Sequence, residues 1–278
     1  MKFILETIDL SMEFKRPRKM FGPAPKPVKA VEGVDLSVRK GEVLGIVGES
    51  GSGKSTLAKT ILGLYAPSRG SIILEGNQSH WTSRRQARRE RHAIQYVHQD
   101  PGAALDPWWS IGRTLHEALL INGEKDARQR ERLIGTMMEA VGLSSEYCKR
   151  YPHELSGGQQ RRIGIARTLI LKPSIVILDE PTSGLDMSVQ KTVLTLVHGI
   201  RKEFDLTYLF VSHDLSVVRH LCDRTAIMKD GCIVEIGDTA SIFADPQHEY
   251  TRTLIAAAPS LHSERLALPS SINIKEHP

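Results

Sequence analysis

With 278 residues, 40% of them hydrophobic and 25% charged, the chain is long enough to bury its own core and has ordinary globular composition, which excludes a disordered or disulfide-stapled scaffold. Cys148, Cys222 and Cys232 are scattered without a Cys-x-x-Cys pair, which fits a reducing cytosol. Glu6 interrupts the apolar N-terminus and no apolar run approaches the roughly 18 residues of a membrane span, so the chain is expected neither to be secreted nor to cross a membrane by itself. The net charge of +5 raises nucleic acid or an anionic surface as a partner, but much of the excess sits in Lys15–Lys19 and Arg84–Arg91, and such runs usually mark solvated faces.

Phe3–Phe14 and Val28–Val38 alternate as half-buried strands do, on either side of a Pro- and Lys-rich loop from Arg16 to Pro27. The next segment is continuous rather than alternating: Val43–Val47 is apolar throughout, as a fully buried strand requires, and Ser55–Leu64 has helical spacing. Between them lies Gly48-Glu49-Ser50-Gly51-Ser52-Gly53-Lys54-Ser55-Thr56, the spacing of a Walker A loop. Its glycines allow successive amides to turn toward phosphate oxygens, Lys54 supplies a point charge for the β- and γ-phosphates, and Ser55 offers a hydroxyl to Mg²⁺. Gly48, Ser50, Gly51, Ser52, Gly53, Lys54, Ser55 and Thr56 are thus the candidate nucleotide contacts. The bland alternative is a glycine-rich turn with a solvated lysine. The flanking strand and helix favour the phosphate reading.

Further along, Ser71–Glu75 and Ile94–Val97 read as short strands, and Ile111 to Tyr151 as a mostly helical insertion. Ser174–Leu178 and Thr207–Val211 are apolar β-rich runs with a helix from Met187 to Phe204 between them, an order that implies right-handed crossovers and a parallel sheet. Arg224–Lys229 and Cys232–Gly237 form a hairpin pattern around Asp230-Gly231, Tyr250–Ala258 reads as a helix, and residues from Ser260 carry no strong signal. Leu155-Ser156-Gly157-Gly158-Gln159 opens a second helix with a glycine-rich start. On these residues alone it is a helix cap or a second phosphate contact. Asp179 stands at the end of a buried strand, where parallel sheets bind ligands, and can hold Mg²⁺ through water. The adjacent Glu180 is placed to polarise an attacking water. Gln99 can offer an amide oxygen to the metal or that water, and His213 can hydrogen-bond a γ-phosphate. Taken singly, Gln99 reads as turn chemistry and His213 as a helix-start residue.

Leu155–Gln159 resembles the signature motif of ATP-binding cassette proteins, and the other landmarks of that family follow in order. Gln99 resembles the Q-loop, Ser183-Gly184-Leu185-Asp186 the D-loop and His213 the switch histidine. Phe14 matches the aromatic position that stacks on adenine, although an aromatic at a strand end is also an ordinary core residue. The resemblance covers roughly residues 3 to 240. It implies an α/β fold of the ABC-type P-loop NTPase: a mixed-sheet core, an N-terminal antiparallel β subdomain, and a helical subdomain at about 100–172 within an ATPase domain of residues 1–245. ATP and Mg²⁺ are the implied cofactors. Glu180, His213 and Gln99 then form the catalytic set, and Ser55, Gln99 and Asp179 the metal set. Ser156, Gly157, Gly158, Gln159 and Asp186 serve nucleotide at a dimer interface.

Within the family, Gln95–Pro107, Tyr151–Gln159 and His248–Pro259 are similar to the ATP-binding subunits of oligopeptide, dipeptide and nickel importers, with residues 246–278 as the C-terminal extension of that group. His98 stands where the group usually has Phe and Gly184 where it usually has Ala. The tail lacks the cysteine cluster that some members use for an iron–sulfur centre. The resemblance implies a peripheral subunit on the cytoplasmic face of the inner membrane that powers uptake of a peptide, nickel chelate or similar solute. Its implied partners are a second ATPase subunit, a copy or a paralogue, two integral membrane permease chains and an extracytoplasmic solute-binding protein; nucleic acid is not expected. The alternative reading is a soluble cassette ATPase of a cytosolic complex, acting on nucleic acid or in phosphonate breakdown.

Overall fold

The computed structural model describes residues 3–15, 27–79, 90, 92–98 and 101–258. Most of the Arg16–Pro27 loop, the arginine run of Arg84–Arg91, Gln99 and the tail after Ser260 lie outside the described residues. In chain order the strands are β1 (Phe3–Phe14), β2 (Val28–Arg39), β3 (Val43–Val47), β4 (Arg69–Leu74), β5 (Asn77–Gln78), β6 (Ile94–Val97), β7 (Ile175–Asp179), β8 (Thr207–Ser212), β9 (Arg224–Lys229) and β10 (Cys232–Asp238). The helices are α1 (Lys54–Ile61), α2 (Ile111–Ile121), α3 (Ala127–Ala140), α4 (Gly157–Leu169), α5 (Met187–Phe204), α6 (Leu215–Leu221), α7 (Thr239–Ala244) and α8 (Glu249–Ala256), with a 3₁₀ turn at Ser145–Lys149.

Among the described residues the chain divides into two compact units, one formed by those up to Glu90 together with Thr207 to Ala258, the other by those from His92 to Leu206. In the first unit, β2, β1, β4 and β5 form an antiparallel sheet in that order. The alternation read from β1 is interrupted. Its pairing with β4 shifts register between Ile8 and Ser11, Asp9 takes a positive φ of 48°, and Leu10 and Ser11 are both buried. A bulge thus turns two successive side chains inward and bends the long strand.

The same unit holds the parallel core. All five residues of β3 are buried, and the strand pairs in parallel with β8 on one side and β9 on the other. A strand covered on both faces needs a continuous apolar run, which is why Val43–Val47 lacks alternation. Leu44, Ile46, Leu57, Ile61, Tyr208 and Phe210 are fully buried around it. β10 then pairs antiparallel with β9 through the Asp230-Gly231 turn, whose φ angles of 49° and 84° are both left-handed, as a type I′ hairpin requires. The sheet is therefore mixed, as expected.

A buried ion pair ties the start of β3 to β9. Arg224 Nη1 lies 3.1 Å from Glu42 Oε1 and also donates to the Ser37 carbonyl at 3.0 Å, while Glu42 Oε1 accepts the Arg39 amide at 2.8 Å. In the second unit β6 pairs in parallel with β7, and α2, α3 and α4 supply Ile111, Leu115, Met138 and Ile163 to a core of their own. Helix α2 is N-capped by Ser110, α3 by Asp126 and α5 by Asp186, each satisfying orphan amides of the first turn.

Because Glu42 is 7% exposed, removing its carboxylate leaves the largely buried Arg224 guanidinium without a counter-charge, held by the Ser37 carbonyl. Glu42→Ala is expected to destabilise the protein by about 3 kcal/mol, read as a lower urea midpoint.

Candidate nucleotide site

In the first unit, the phosphate loop leaves β3 and enters α1. Its course is dictated by close backbone approaches rather than by side-chain packing. A Cβ on Gly48 would sit 2.1 Å from the Met228 carbonyl oxygen, and one on Gly53, whose φ is 102°, would sit 2.2 Å from the Ala30 carbonyl oxygen. No residue but glycine fits either place. The β9–β10 turn backs the loop, with the Gly231 amide donating to the Ser52 carbonyl at 3.0 Å, and the Ser52 amide donates to the Glu49 carbonyl at 3.2 Å. Lys54 is 5% exposed, and its ammonium donates to the Gly48 carbonyl at 2.8 Å and the Glu49 carbonyl at 2.7 Å. The cation is thereby held at the mouth of the loop. No side chain caps the N-terminus of α1, so its first amides are not taken up by a side-chain cap.

Two further expected residues belong to this unit. Phe14, at the end of β1, is half-buried and meets Tyr65 edge-to-face, with ring centroids 5.3 Å apart. His213 is exposed at the end of β8, and the following Asp214 caps α6 by accepting the Ser216 amide at 2.9 Å. The helix-start chemistry thus falls to Asp214, and the His213 ring projects from the strand end.

In the second unit, β7 ends on Asp179, which is 7% exposed and accepts a 2.6 Å hydrogen bond on Oδ2 from the Tyr96 hydroxyl of β6. Sequence reasoning missed Tyr96. Nothing in its own spacing marks it; only the parallel register, with Tyr96 opposite Ile177, brings it beside the acid. Glu180 follows with a φ of 49°, a left-handed backbone that is costly for a residue with a Cβ and recurs where geometry is functionally constrained. From Glu180 a turn closed by the Ser183 amide on the Glu180 carbonyl leads to Asp186. Asp186 caps α5: hydrogen bonds from the Val189 amide and then the Ser188 side chain hold its carboxyl below the usual carboxylate range.

Of the two roles left open by its sequence, the glycine-rich start of α4 shows the helix cap. Ser156 accepts the Gln159 amide at 3.3 Å, and Gln159 returns its side-chain oxygen to the Ser156 amide at 2.9 Å, a reciprocal capping box. Gly157 and Gly158 are exposed with nothing within 4 Å of where a Cβ would be, so no internal contact demands glycine there. Farther along α4, Gly164 lies against the segment that follows Gln99. A Cβ there would sit 2.3 Å from the Pro101 carbonyl oxygen, and Arg167 donates to the Ala104 carbonyl at 2.9 Å. Gln99 itself lies outside the described residues.

The comparisons with known proteins agree with this geometry. Residues 31–183 match the ABC transporter family, and residues 234–277 match the oligopeptide/dipeptide transporter C-terminal region. The oligopeptide transport ATP-binding protein AppF of Bacillus subtilis is 40% identical over 99% of this chain and 86% of its own length. The oligopeptide transport ATP-binding protein OppF of Escherichia coli is 44% identical over 93% of this chain and 78% of its own. Among solved structures, cbiO1 of Clostridium perfringens, part of the transporter complex cbiONQ, superposes with a TM-score of 0.76 at 27% identity, over 94% of this chain and 98% of that one. The dimeric cassette MJ0796 does so with 0.72 at 25% identity, over 84% and 98%. These relatives do not favour a soluble cassette ATPase of nucleic-acid or phosphonate metabolism.

Gly48→Ala is expected to abolish nucleotide binding, because the added methyl cannot coexist with the Met228 carbonyl. Titration of ATP into the folded variant checks it. The chain belongs to the ABC transporter ATP-binding family, as a nucleotide-binding, ATP-hydrolysing transport ATPase that carries the C-terminal region of the oligopeptide/dipeptide branch.

Proposed function

We propose that this chain is the ATP-hydrolysing subunit of an ABC importer for peptides, working on the cytoplasmic face of the membrane beneath two permease chains fed by an extracytoplasmic solute-binding protein. One observation carries the reading: a phosphate loop whose backbone admits only glycine at its two closest approaches stands in the same chain as an oligopeptide/dipeptide transporter C-terminal region. No helix among the described residues is long and apolar enough to cross a membrane, so any spanning segments of such an assembly are sought in other chains.

Gly48, Ser50, Gly51, Ser52, Gly53, Ser55 and Thr56 surround the triphosphate, Lys54 pairs with its β- and γ-oxygens, and Phe14 packs on adenine. Mg²⁺ fits the donors available. Among the described residues no group of three or more His, Cys, Asp or Glu side chains could hold a metal; the candidates are the single hydroxyl of Ser55 and the single carboxylate of Asp179, with Gln99. So sparse a set of oxygen donors suits a cation that keeps waters and phosphate oxygens in its shell. When bound, it neutralises charge on the β- and γ-phosphates.

Hydrolysis then needs a placed nucleophile and little covalent chemistry. Glu180 orients and polarises the attacking water, while His213 hydrogen-bonds the γ-phosphate. The Tyr96 hydroxyl holds Oδ2 of Asp179, and the carboxylate so positioned would hold a bound metal through its water shell. Ser156, Gly157, Gly158, Gln159 and Asp186 act on the nucleotide of a second subunit. The Ser156 oxygen accepts within its own helix, which leaves the hydroxyl proton to donate outward, and the open surroundings of Gly157 and Gly158 support close approach of a phosphate. Nucleotide then joins two subunits, and hydrolysis separates them.

Glu180→Gln is expected to retain ATP, accumulate as closed dimers and turn over little of it in a single-turnover assay; normal turnover would remove Glu180 from its assigned role. A second measurement addresses the permease. Trp108 is 85% exposed, while Trp109 carries the Arg113 guanidinium 4.0 Å above its ring. Substituting Trp108 and Trp109 is expected to uncouple transport while sparing basal ATPase activity. A proportional loss of both would end the assignment of this surface to the permease.

A further inference from the structure

Helix α8 lies within the stretch that matches the oligopeptide/dipeptide C-terminal region, and its second residue reaches the phosphate loop. Tyr250 is 9% exposed, with the Lys229 ammonium 4.8 Å from its ring centroid, and its hydroxyl oxygen accepts the Glu49 amide N–H at 3.2 Å. The other face of that same amide matters equally. The carbonyl of the Gly48–Glu49 peptide accepts from the Lys54 ammonium at 2.8 Å. One planar unit is therefore gripped by Tyr250 at its N–H and by the loop lysine at its C=O. Because the peptide is rigid, rotating it away from one partner turns it away from the other.

The helix that brings Tyr250 is itself anchored. Glu235 of β10 accepts the Gln247 amide at 2.9 Å and the His248 amide at 3.1 Å, and His248 Nδ1 accepts the Tyr250 amide at 3.1 Å. Burial pushes the Glu235 carboxyl up, but the neighbouring Thr251 side chain and the hydrogen bonds from the Gln247 and His248 amides outweigh it and leave the carboxyl below its usual range. Burial likewise pushes the Tyr250 phenol up, so it stays a neutral acceptor.

We propose that Tyr250 is a positioning residue for ATP: through the Gly48–Glu49 peptide it sets the orientation of Lys54, which makes the C-terminal region a strap across the phosphate loop. The inference rests on the phosphate-loop reading above and adds to it a dependence of nucleotide affinity on the C-terminal region. The strap touches neither phosphate nor water itself. Its loss acts on binding before chemistry.

The test is Tyr250→Phe in the full chain, which keeps the ring and removes the acceptor. Mg²⁺ with ATP or ADP is titrated by calorimetry, KM and kcat are measured for ATP hydrolysis, and the thermal midpoint is taken without nucleotide. Loss of one such hydrogen bond is expected to weaken nucleotide binding and raise KM by about fivefold, with kcat and the nucleotide-free midpoint unchanged. In a Lys54→Arg background the same substitution is expected to cost clearly less, because both side chains act on one peptide. Glu235→Gln, which loosens the anchor without touching Tyr250, is expected to move affinity in the same direction by a smaller factor, and it serves if Tyr250→Phe does not fold. Wild-type affinity in Tyr250→Phe, or an undiminished effect beside Lys54→Arg, overturns the strap. Lys54→Ala separates the two layers: if it loses nucleotide while Tyr250→Phe does not, only the strap fails, whereas wild-type binding by Lys54→Ala overturns the phosphate-loop reading itself.

Discussion

The rest of the architecture depends on one steric constraint: the backbone of the phosphate loop is wedged against the carbonyls of Met228 and Ala30, at distances that leave no room for a side chain at Gly48 or Gly53. Such contacts fix the direction of the loop amides before any ligand arrives, so little conformational entropy remains to be lost on binding. The elements around the loop supply the walls of that wedge. β2 brings Ala30, the β9–β10 hairpin brings Met228 and Gly231, and the parallel pairing of β3 with β8 and β9 holds them at the required spacing.

The second recurring device is the helix start. Ser156, Asp186 and Asp214 are each expected near nucleotide or beside a residue that is, and each caps its own helix by accepting amide hydrogen bonds. These two uses do not compete. An N-cap side chain fixes the entry of the chain into the helix and engages one or two of the orphan amides, and the remaining dipole stays directed at whatever lies beyond the cap. A segment that is well capped within its own chain is thus also one whose outward donors are held in place.

Much of this was legible in the sequence because it rests on local rules. β1 spans Phe3–Phe14 and α5 spans Met187–Phe204 as their periodicities predict, and the Asp230-Gly231 turn follows from the φ requirements of a two-residue hairpin. Helix ends were less legible. α1 closes at Ile61 rather than Leu64, and α8 begins at Glu249 because His248 caps it, one residue earlier than its apolar spacing indicates. What the sequence could not disclose were contacts between residues far apart in the chain. Tyr96 on Asp179 depends on the register of two parallel strands, and Tyr250 on Glu49 depends on a helix some 200 residues downstream returning to the loop. The bulge at Asp9 was equally hidden, since it arises from pairing and not from composition.

The left-handed backbone at Glu180 carries a consequence for how this position can drift. Valine, isoleucine and threonine crowd their own main chain in that region of φ, whereas glycine, asparagine and aspartate tolerate it. Substitutions that would replace the carboxylate with a compact branched hydrocarbon therefore carry a conformational penalty besides the chemical one. On the catalytic role proposed for Glu180, those that relax the turn, such as glycine, would yield a better-folded but inert protein. On that proposal, mutational escape from this residue would be channelled toward intact, nucleotide-holding, idle subunits rather than toward unfolded ones.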